Sequence, residues 1–167
     1  MRIELSGRAR RLGDSINTDY IIASTRKRDT IDEQILKQYL LETVDPSFAA
    51  SVQPGDILVA GRNFGCGSAM EVAATVILAA GIKAVLAESF ARTFYRNAVN
   101  NGLIPVECDT AAIREGDRLS VELNEAGIRV SSNGATLAAK PLPPFMLEIL
   151  ESGGLVAFVR DKGLTVR

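Results

Sequence analysis

Residues 57–106 decide the fold of this 167-residue chain, and they read ILVAGRNFGCGSAMEVAATVILAAGIKAVLAESFARTFYRNAVNNGLIPV. Three short, wholly apolar runs at 57–60, 84–87 and 103–106 alternate with two longer segments of helical character, at about 68–80 and 90–101. Wholly apolar strands that alternate with helices are typical of a small parallel sheet covered on both faces. The stretch therefore predicts a β-α-β-α-β core with right-handed crossovers.

The segments on either side of this core alternate between apolar and polar residues, which is typical of half-buried strands. Residues 2–10 predict one such strand, and residues 119–138 predict a three-stranded antiparallel meander because two glycine-containing turns interrupt them. The predicted fold class is α/β: a central parallel β-α-β core flanked by antiparallel strands from both ends. The length fits a single domain over residues 1–167.

Shorter elements are predicted between and after these strands. A short strand is expected at 20–22, followed by a polar, basic loop at 24–29. Apolar spacing and capping residues predict four further helices, at 32–41, from Asp45-Pro46 to 52, at 145–151 and at 155–160.

The composition excludes several classes of function. Nineteen basic and twenty acidic residues give a net charge of −1, which offers little support for nucleic-acid binding. No apolar window approaches the roughly 18 residues of a membrane span, and the charged N-terminus does not resemble a secretion signal. The two distant cysteines, Cys66 and Cys108, suit neither a disulfide framework nor a metal cluster, so a cytoplasmic protein is expected.

The chain contains no histidine. This excludes a Ser-His-Asp or Cys-His nucleophile, a histidine-ligated zinc ion and an imidazole base within the chain. Any chemistry must therefore use carboxylates, hydroxyls, arginines and backbone amides, or groups that a partner supplies.

The strongest local signal is the glycine-containing segment at 63–71, which follows a predicted buried strand and opens a predicted helix. Open α/β sheets bind ligands at this position, and helix N-terminal amides can hold an anion. Ser68 and Glu71 also fit a capping box, and the two interpretations are compatible. The segment is neither a P-loop nor a dinucleotide fingerprint, because it lacks the Lys-Ser/Thr ending and the third glycine.

Two polar clusters precede this segment. Residues 17–19 either build a turn through side-chain-to-backbone bonds or make Asp19 a buried carboxylate that orients an arginine or the Ser68 hydroxyl. Residues 26–28, Arg-Lys-Arg, form either a solvated basic loop or a clamp for an acidic substrate.

Two further arginines, Arg92 and Arg96, lie four residues apart in a predicted helix. We expect them to form structural ion pairs with Glu71 or Glu88. Cys66 is interpreted as a small loop residue and Cys108 as a residue at the end of a strand.

Four stretches carry a specific resemblance to a known family, and they lie at 13–22, 45–49, 55–68 and 89–97. Together they resemble the small subunits of the isopropylmalate dehydratase (isopropylmalate isomerase) branch of the aconitase superfamily. The resemblance implies a swivelling β/β/α domain that closes over the active site of a separate large subunit. That partner carries a 4Fe-4S cluster, and this chain binds none.

The activity implied by the resemblance is that of a hydro-lyase, active only with the large subunit. The pair isomerises 2-isopropylmalate to 3-isopropylmalate, in leucine biosynthesis, by dehydration and rehydration. The resemblance makes Ser68 the base that removes the carbon-bound proton, with Asp19 supporting it and Arg26 or Arg28 binding a substrate carboxylate. The remaining expected substrate-binding residues come from the same loop as Ser68: Gly65, Cys66, Gly67, Ala69 and Met70.

Serine is a weak base, so its alkoxide needs helix N-terminal amides, here expected from Ala69 and Met70, and nearby positive charge. The family commonly reads Gly-Ser-Ser-Arg-Glu where residues 67–71 read Gly-Ser-Ala-Met-Glu. Loss of that arginine removes a carboxylate contact worth about 1.5–3 kcal/mol. Residues 23–28 also depart from the family pattern.

These departures leave the substrate open. Dimethylmalate, citraconate/methylmalate and homoaconitate are alternative substrates. A stand-alone anion-binding regulatory module is the alternative of another class. The apolar surface that a large subunit requires also predicts that the isolated chain can self-associate.

Overall fold

A computed structural model describes residues 2–163, and its strands within that range form one mixed sheet of seven strands in the order β4-β3-β2-β1-β5-β6-β7. The strands are β1 (Ile3–Arg11), β2 (Ile57–Val59), β3 (Ala84–Ala87), β4 (Ile104–Glu107), β5 (Arg118–Asn124), β6 (Gly127–Ser132) and β7 (Ala135–Ala138). The helices are α1 (Thr18–Ile21), α2 (Ser24–Lys27), α3 (Glu33–Leu36), α4 (Phe48–Ser51), α5 (Glu71–Ala79), α6 (Arg92–Asn101), α7 (Pro144–Glu151) and α8 (Leu155–Lys162). A 3-10 turn (Lys37–Tyr39) follows α3. Over the described range, every helix falls short of the length and apolarity that crossing a bilayer would require.

The two halves of the sheet meet in β1. Its last residues, Ala9 to Arg11, pair with β2 in parallel, whereas the preceding residues pair with β5 in antiparallel register. The parallel half is therefore β4-β3-β2-β1, and the meander β5-β6-β7 extends the sheet beyond β1. This confirms the predicted fold class, with all the antiparallel pairs on one side of the parallel core.

The parallel strands are buried on both faces, as their wholly apolar sequences predict. Leu58 and Val85 belong to a core cluster that includes residues of α5, whereas Ile57 and Leu86 belong to a second cluster that includes residues of α7. Helix α6 contributes to both clusters, through Phe94 and Ala98 on one side and Val99 on the other. The predicted helices at 145–151 and 155–160 correspond to α7 and α8 and are confirmed.

The short strand expected at 20–22 is wrong, because residues 18–21 form the helical turn α1. Asn17 starts this turn, since its side-chain oxygen accepts a hydrogen bond from the Asp19 amide at 2.8 Å. The basic loop expected at 24–29 contains a further helical turn, α2, and the helix expected at 32–41 is divided between α3 and the 3-10 turn.

Candidate functional site

Three loops meet at the carboxyl edge of the parallel strands, and the loop after β2 lies between the other two. We call residues 61–70 the glycine-rich loop. On one side, the Gly65 amide donates to the carbonyl of Ile16 and the Thr18 amide donates to the carbonyl of Cys66, each at 2.8 Å. On the other side, the Phe64 amide donates to the carbonyl of Ser89 at 3.0 Å. Backbone hydrogen bonds to both neighbours therefore fix the glycine-rich loop as an extension of the sheet.

The loop contains two glycines at positions where the backbone conformation and the lack of space disfavour any other residue. Gly65 has φ of +80°, and a Cβ atom added there would lie 2.2 Å from the Phe94 side chain. Gly67 has φ of +92°, and its Cβ would lie 2.5 Å from the side chain of Asn17. Phe64 fills the space beneath the loop and packs edge-on against Phe94, with ring centres 5.1 Å apart. The tight curvature of the loop thus depends on glycine at both positions.

Asp14 braces the start of the glycine-rich loop. Its Oδ1 accepts a hydrogen bond from the backbone amide of Arg62 at 2.8 Å, and the Arg62 guanidinium lies 3.6 Å from Oδ2. The amide hydrogen bond, together with the positive charge of Arg62, lowers the pKa of the Asp14 carboxyl. The ionised form of Asp14 is therefore the one that this loop geometry favours.

Ser68 lies at the exposed tip of the loop, and its backbone is held from the side. The Ser68 carbonyl accepts a hydrogen bond from Thr18 Oγ1 at 2.8 Å. The predicted capping box is wrong, because α5 begins at Glu71 and has Met70 as its N-cap, without a side-chain capping bond. The Ser68 hydroxyl has no hydrogen-bond partner among residues 2–163, so capping does not occupy it.

Because the helix starts at Glu71, the two backbone amides expected to lie in its first turn lie outside it. The amides of Ala69 and Met70 precede the first turn of α5 instead of forming part of it. The chain stays extended at Met70, with φ −130° and ψ 110°. The Ser68 carbonyl accepts its hydrogen bond from Thr18, and the helix begins three residues later than the local pattern predicts.

Of the two interpretations of residues 17–19, the turn forms, with the Asp19 amide donating to the Asn17 side chain. The alternative of a buried Asp19 carboxylate is wrong, because its side chain is exposed. Its Oδ1 accepts hydrogen bonds from the amide and the hydroxyl of Ser24, with the amide nitrogen at 3.1 Å. Asp19 therefore fixes the start of α2 in this structure. The sequence interpretation did not identify Thr18 as the residue that contacts the Ser68 backbone, although it lies in the polar cluster singled out at 17–19.

Residues 24–28, which we call the basic segment, carry three cations, of which Lys27 reaches the glycine-rich loop. Arg26 forms a bidentate ion pair with Glu42, with N–O distances of 2.8 and 3.0 Å, and its guanidinium lies 3.9 Å from the centre of the Tyr39 ring. Lys27 Nζ contacts Met70 Sδ. Arg28 is exposed and forms no ion pair with the described residues. The three cations therefore differ in how far the protein itself already engages them.

The remaining candidates lie outside this cluster. Arg92 and Arg96 are exposed, and the expected ion pairs with Glu71 or Glu88 do not form within the described part of the chain. The reason is that Phe94 and Ala98 occupy the buried face of α6, which leaves the arginines on its solvent side.

The two cysteines lie in different surroundings. Cys66 is half-buried and contributes its backbone carbonyl to the loop. Cys108, which directly follows β4, is buried, and this burial raises the pKa of its thiol to about 11. Among residues 2–163, no three cysteine or acidic side chains lie close enough together to hold a metal ion.

Comparison with known proteins identifies the family of this chain. The family model of the aconitase C-terminal domain matches residues 10–111. The chain is 45% identical over 157 residues to the 3-isopropylmalate dehydratase small subunit of Wolinella succinogenes, covering 93% of each protein. It is 43% identical over 164 residues to the isopropylmalate/citramalate isomerase small subunit of Methanocaldococcus jannaschii, covering 97% of each.

A solved structure gives the same answer for the fold. A crystal structure of 3-isopropylmalate dehydratase from Methanocaldococcus jannaschii superposes with a TM-score of 0.89 at 40% identity, over 97% of this chain and 96% of the other. The resemblance expected from the sequence is confirmed. The chain belongs to the aconitase C-terminal domain family, in the branch of the 3-isopropylmalate dehydratase small subunits.

Proposed function

We propose that residues 1–167 act as the small, swivelling subunit of a hydro-lyase that isomerises 2-isopropylmalate to 3-isopropylmalate. The names of relatives that match nearly the whole chain support this activity. One structural observation carries the assignment of the site: an exposed serine hydroxyl at the tip of a loop that backbone hydrogen bonds hold on both sides. A group that must meet a substrate carbon needs this kind of fixed placement.

In this proposal Ser68 is the base that removes the carbon-bound proton. Its hydroxyl is free of capping bonds in the described structure, and Thr18 holds its carbonyl. An alkoxide becomes accessible only beside positive charge in a site shielded from water. The basic segment brings that charge, and the exposed surface around Ser68 requires a partner to exclude water.

The substrate is a dicarboxylate, so it needs cationic groups. Of the two arginines proposed to bind it, Arg28 forms no ion pair with the described residues, whereas Arg26 must first exchange its carboxylate partner Glu42. The backbone and side chains of the glycine-rich loop, at Gly65, Cys66, Gly67, Ala69 and Met70, form the other wall of the proposed site. Asp19 acts indirectly, because its carboxylate fixes Ser24 at the start of the basic segment.

The partner in this proposal is a large subunit that carries a 4Fe-4S cluster. The described residues of this chain offer no set of ligands for a cluster. When bound on the large subunit, such a cluster supplies Lewis acidity for the leaving hydroxyl.

Two apolar side chains near the basic segment, Tyr20 and Ile31, are 51% and 86% exposed and suit a surface that the partner covers. The complex is proposed to work in the cytoplasm, and the uncovered surface of the isolated chain also favours self-association.

A second candidate is the same reaction on another hydroxy diacid, such as citraconate/methylmalate, dimethylmalate or homoaconitate. Met70 favours it, because a substrate-binding arginine is expected at this position. The Methanocaldococcus jannaschii relative is named for two substrates, isopropylmalate and citramalate.

Co-expression with an iron-sulfur large subunit, followed by purification and assay of hydroxy diacids, tests the proposal. We expect a stable complex that dehydrates isopropylmalate, and no turnover by either subunit alone. Turnover of a smaller diacid instead would replace the substrate and keep the reaction class. Tight dicarboxylate binding by the isolated chain, without any stable partner, would favour the regulatory module and contradict the proposal.

A further inference from the structure

We propose that Lys27 supplies the positive charge that position 70 lacks, and that it binds the substrate carboxylate lying next to Met70. This inference rests on the proposed function, because it assigns a substrate contact in the same site. Lys27 would then determine substrate specificity together with Arg26, Arg28 and the glycine-rich loop.

The position of Lys27 follows from the anchors on either side of it. Asp19 binds the amide and hydroxyl of Ser24 at the start of α2, and the Arg26 guanidinium is bound by Glu42 and covered by Tyr39. With these two contacts in place, the Lys27 side chain extends to the glycine-rich loop and meets Met70 Sδ. Met70 lies two residues beyond Ser68. The ammonium of Lys27 therefore lies against the side chain at position 70, where the family pattern has an arginine.

The chemistry of this contact leaves the lysine available to a ligand. A thioether is a weak hydrogen-bond acceptor, whereas an ammonium has three donors and a full charge. Lys27 is half-buried and forms no ion pair within residues 2–163. Asp29, two residues after Lys27, and Glu71, next to Met70, are exposed and form no ion pair with Lys27 either. A partly desolvated cation with a neutral sulfur as its neighbour favours an incoming carboxylate.

The arrangement also has a consequence for selectivity. An arginine at position 70 would bind a carboxylate in a planar, bidentate manner, whereas a lysine acts as a compact charge with a less directional contact. The thioether and methyl group of Met70 add apolar surface beside that charge. The pair Lys27–Met70 therefore suits a hydroxy dicarboxylate in which an alkyl substituent lies close to the bound carboxylate.

The test uses the complex with the large subunit and compares Lys27→Met, Lys27→Gln and Lys27→Arg with the wild type. We expect the two neutral variants to lower kcat/KM by roughly 10- to 150-fold, mainly through KM, since a hydrogen bond to a charged group is lost. Lys27→Arg should retain most of the activity. The matched control is Lys83→Met, because Lys83 is an exposed lysine at the opposite, amino end of β3 and should leave the kinetics unchanged.

A second variant tests the exchange of charge between the two positions. Met70→Arg in the Lys27→Met background should restore a large part of the lost kcat/KM, because it returns a cation to the same place. Melting temperature and co-purification with the partner are measured for each variant, so that a loss of folding is recognised.

A pair of competitive inhibitors, malate and its monoamide, provides a readout without turnover. In the monoamide, an amide replaces the carboxylate that Lys27 is proposed to contact. Lys27→Met should therefore weaken the binding of malate more than the binding of the monoamide.

The outcomes separate the two proposals. A wild-type complex that turns over a diacid, with folded neutral Lys27 variants of unchanged KM and inhibitor affinity, overturns the role of Lys27 and leaves the proposed function intact. A wild-type complex without turnover of any diacid overturns both.

Discussion

The glycine-rich loop and the basic segment meet where Lys27 contacts Met70, but they are held in different ways. Backbone hydrogen bonds to the loops after β1 and β3 hold the glycine-rich loop, together with glycines in the left-handed region. The basic segment is a single helical turn that side chains anchor, chiefly through the contacts of Asp19 and Glu42. Main-chain hydrogen bonds therefore fix the position of the glycine-rich loop, whereas side-chain contacts fix the position of the basic segment.

This difference matches the tolerance of the chemistry. A base that removes a proton from carbon must be placed within a fraction of an ångström, so it belongs on the fixed backbone. A cation acts over several ångströms, so it can be moved by exchanging side chains at little cost to the fold. We therefore expect substrate preference to change through side chains of the basic segment and at Met70, while the backbone that holds Ser68 keeps its position.

The largest expected effect on folding is at Gly65. Gly65→Ala forces a Cβ against Phe94 in a conformation that L-residues avoid, which should lower the free energy of unfolding by about 3 kcal/mol. Gly13→Ala is the matched control, since a Cβ at Gly13 meets no atom within 4 Å. Urea denaturation of both variants measures the difference, and equal stabilities would contradict the account of the loop.

A smaller loss is expected at Thr18. Thr18→Val keeps the shape of the side chain but removes the hydroxyl that donates to the Ser68 carbonyl. Because Thr18 is buried, the lost bond should cost about 1–2 kcal/mol of stability. The variant complex should also show a lower kcat. If kcat stays at the wild-type value while stability falls, the contact holds the fold without positioning Ser68.

The effect of Asp14→Asn should depend on pH. The pKa of the Asp14 carboxyl is lowered in the folded chain, so its contribution is fully present above the unfolded pKa and is lost as pH falls through the folded value. We therefore expect the variant to be less stable than wild type near about pH 7, and the difference to shrink towards about pH 3. Thermal unfolding over this range measures it. A difference that is independent of pH would assign the effect to packing instead.

The smallest effect on folding is expected in the basic segment. Arg26→Met removes a partly exposed ion pair, and such pairs add little to stability in water. The melting temperature should fall less than for Thr18→Val, and kcat/KM should fall less than for Lys27→Met. Glu42→Gln is the companion variant, because it removes the same ion pair and leaves the arginine in place. An Arg26→Met loss in kcat/KM as large as that of Lys27→Met would show that Arg26 exchanges Glu42 for the substrate and binds it as strongly as Lys27 does.

Periodicity was sufficient to predict the strands of the core, because wholly apolar runs between helices have few other interpretations. The local pattern gave wrong predictions at two places. Residues 20–22 were predicted to form a strand, but Tyr20 lies in a helical turn that Asn17 caps. Ser68 and Glu71 have the spacing of a capping box, yet the helix starts at Glu71 and the Ser68 carbonyl is bound by Thr18, fifty residues earlier. The contact of Lys27 with Met70 spans 43 residues, so no local motif reveals it.

The central claim is that Ser68 removes the carbon-bound proton. Ser68→Ala in the complex with the large subunit tests it most directly, with Ser6→Ala as control, because Ser6 is an exposed serine near the amino end of β1. The account predicts a kcat at least about 100-fold lower, with unchanged melting temperature and unchanged binding to the partner. A folded, partner-bound Ser68→Ala complex with wild-type turnover would contradict it.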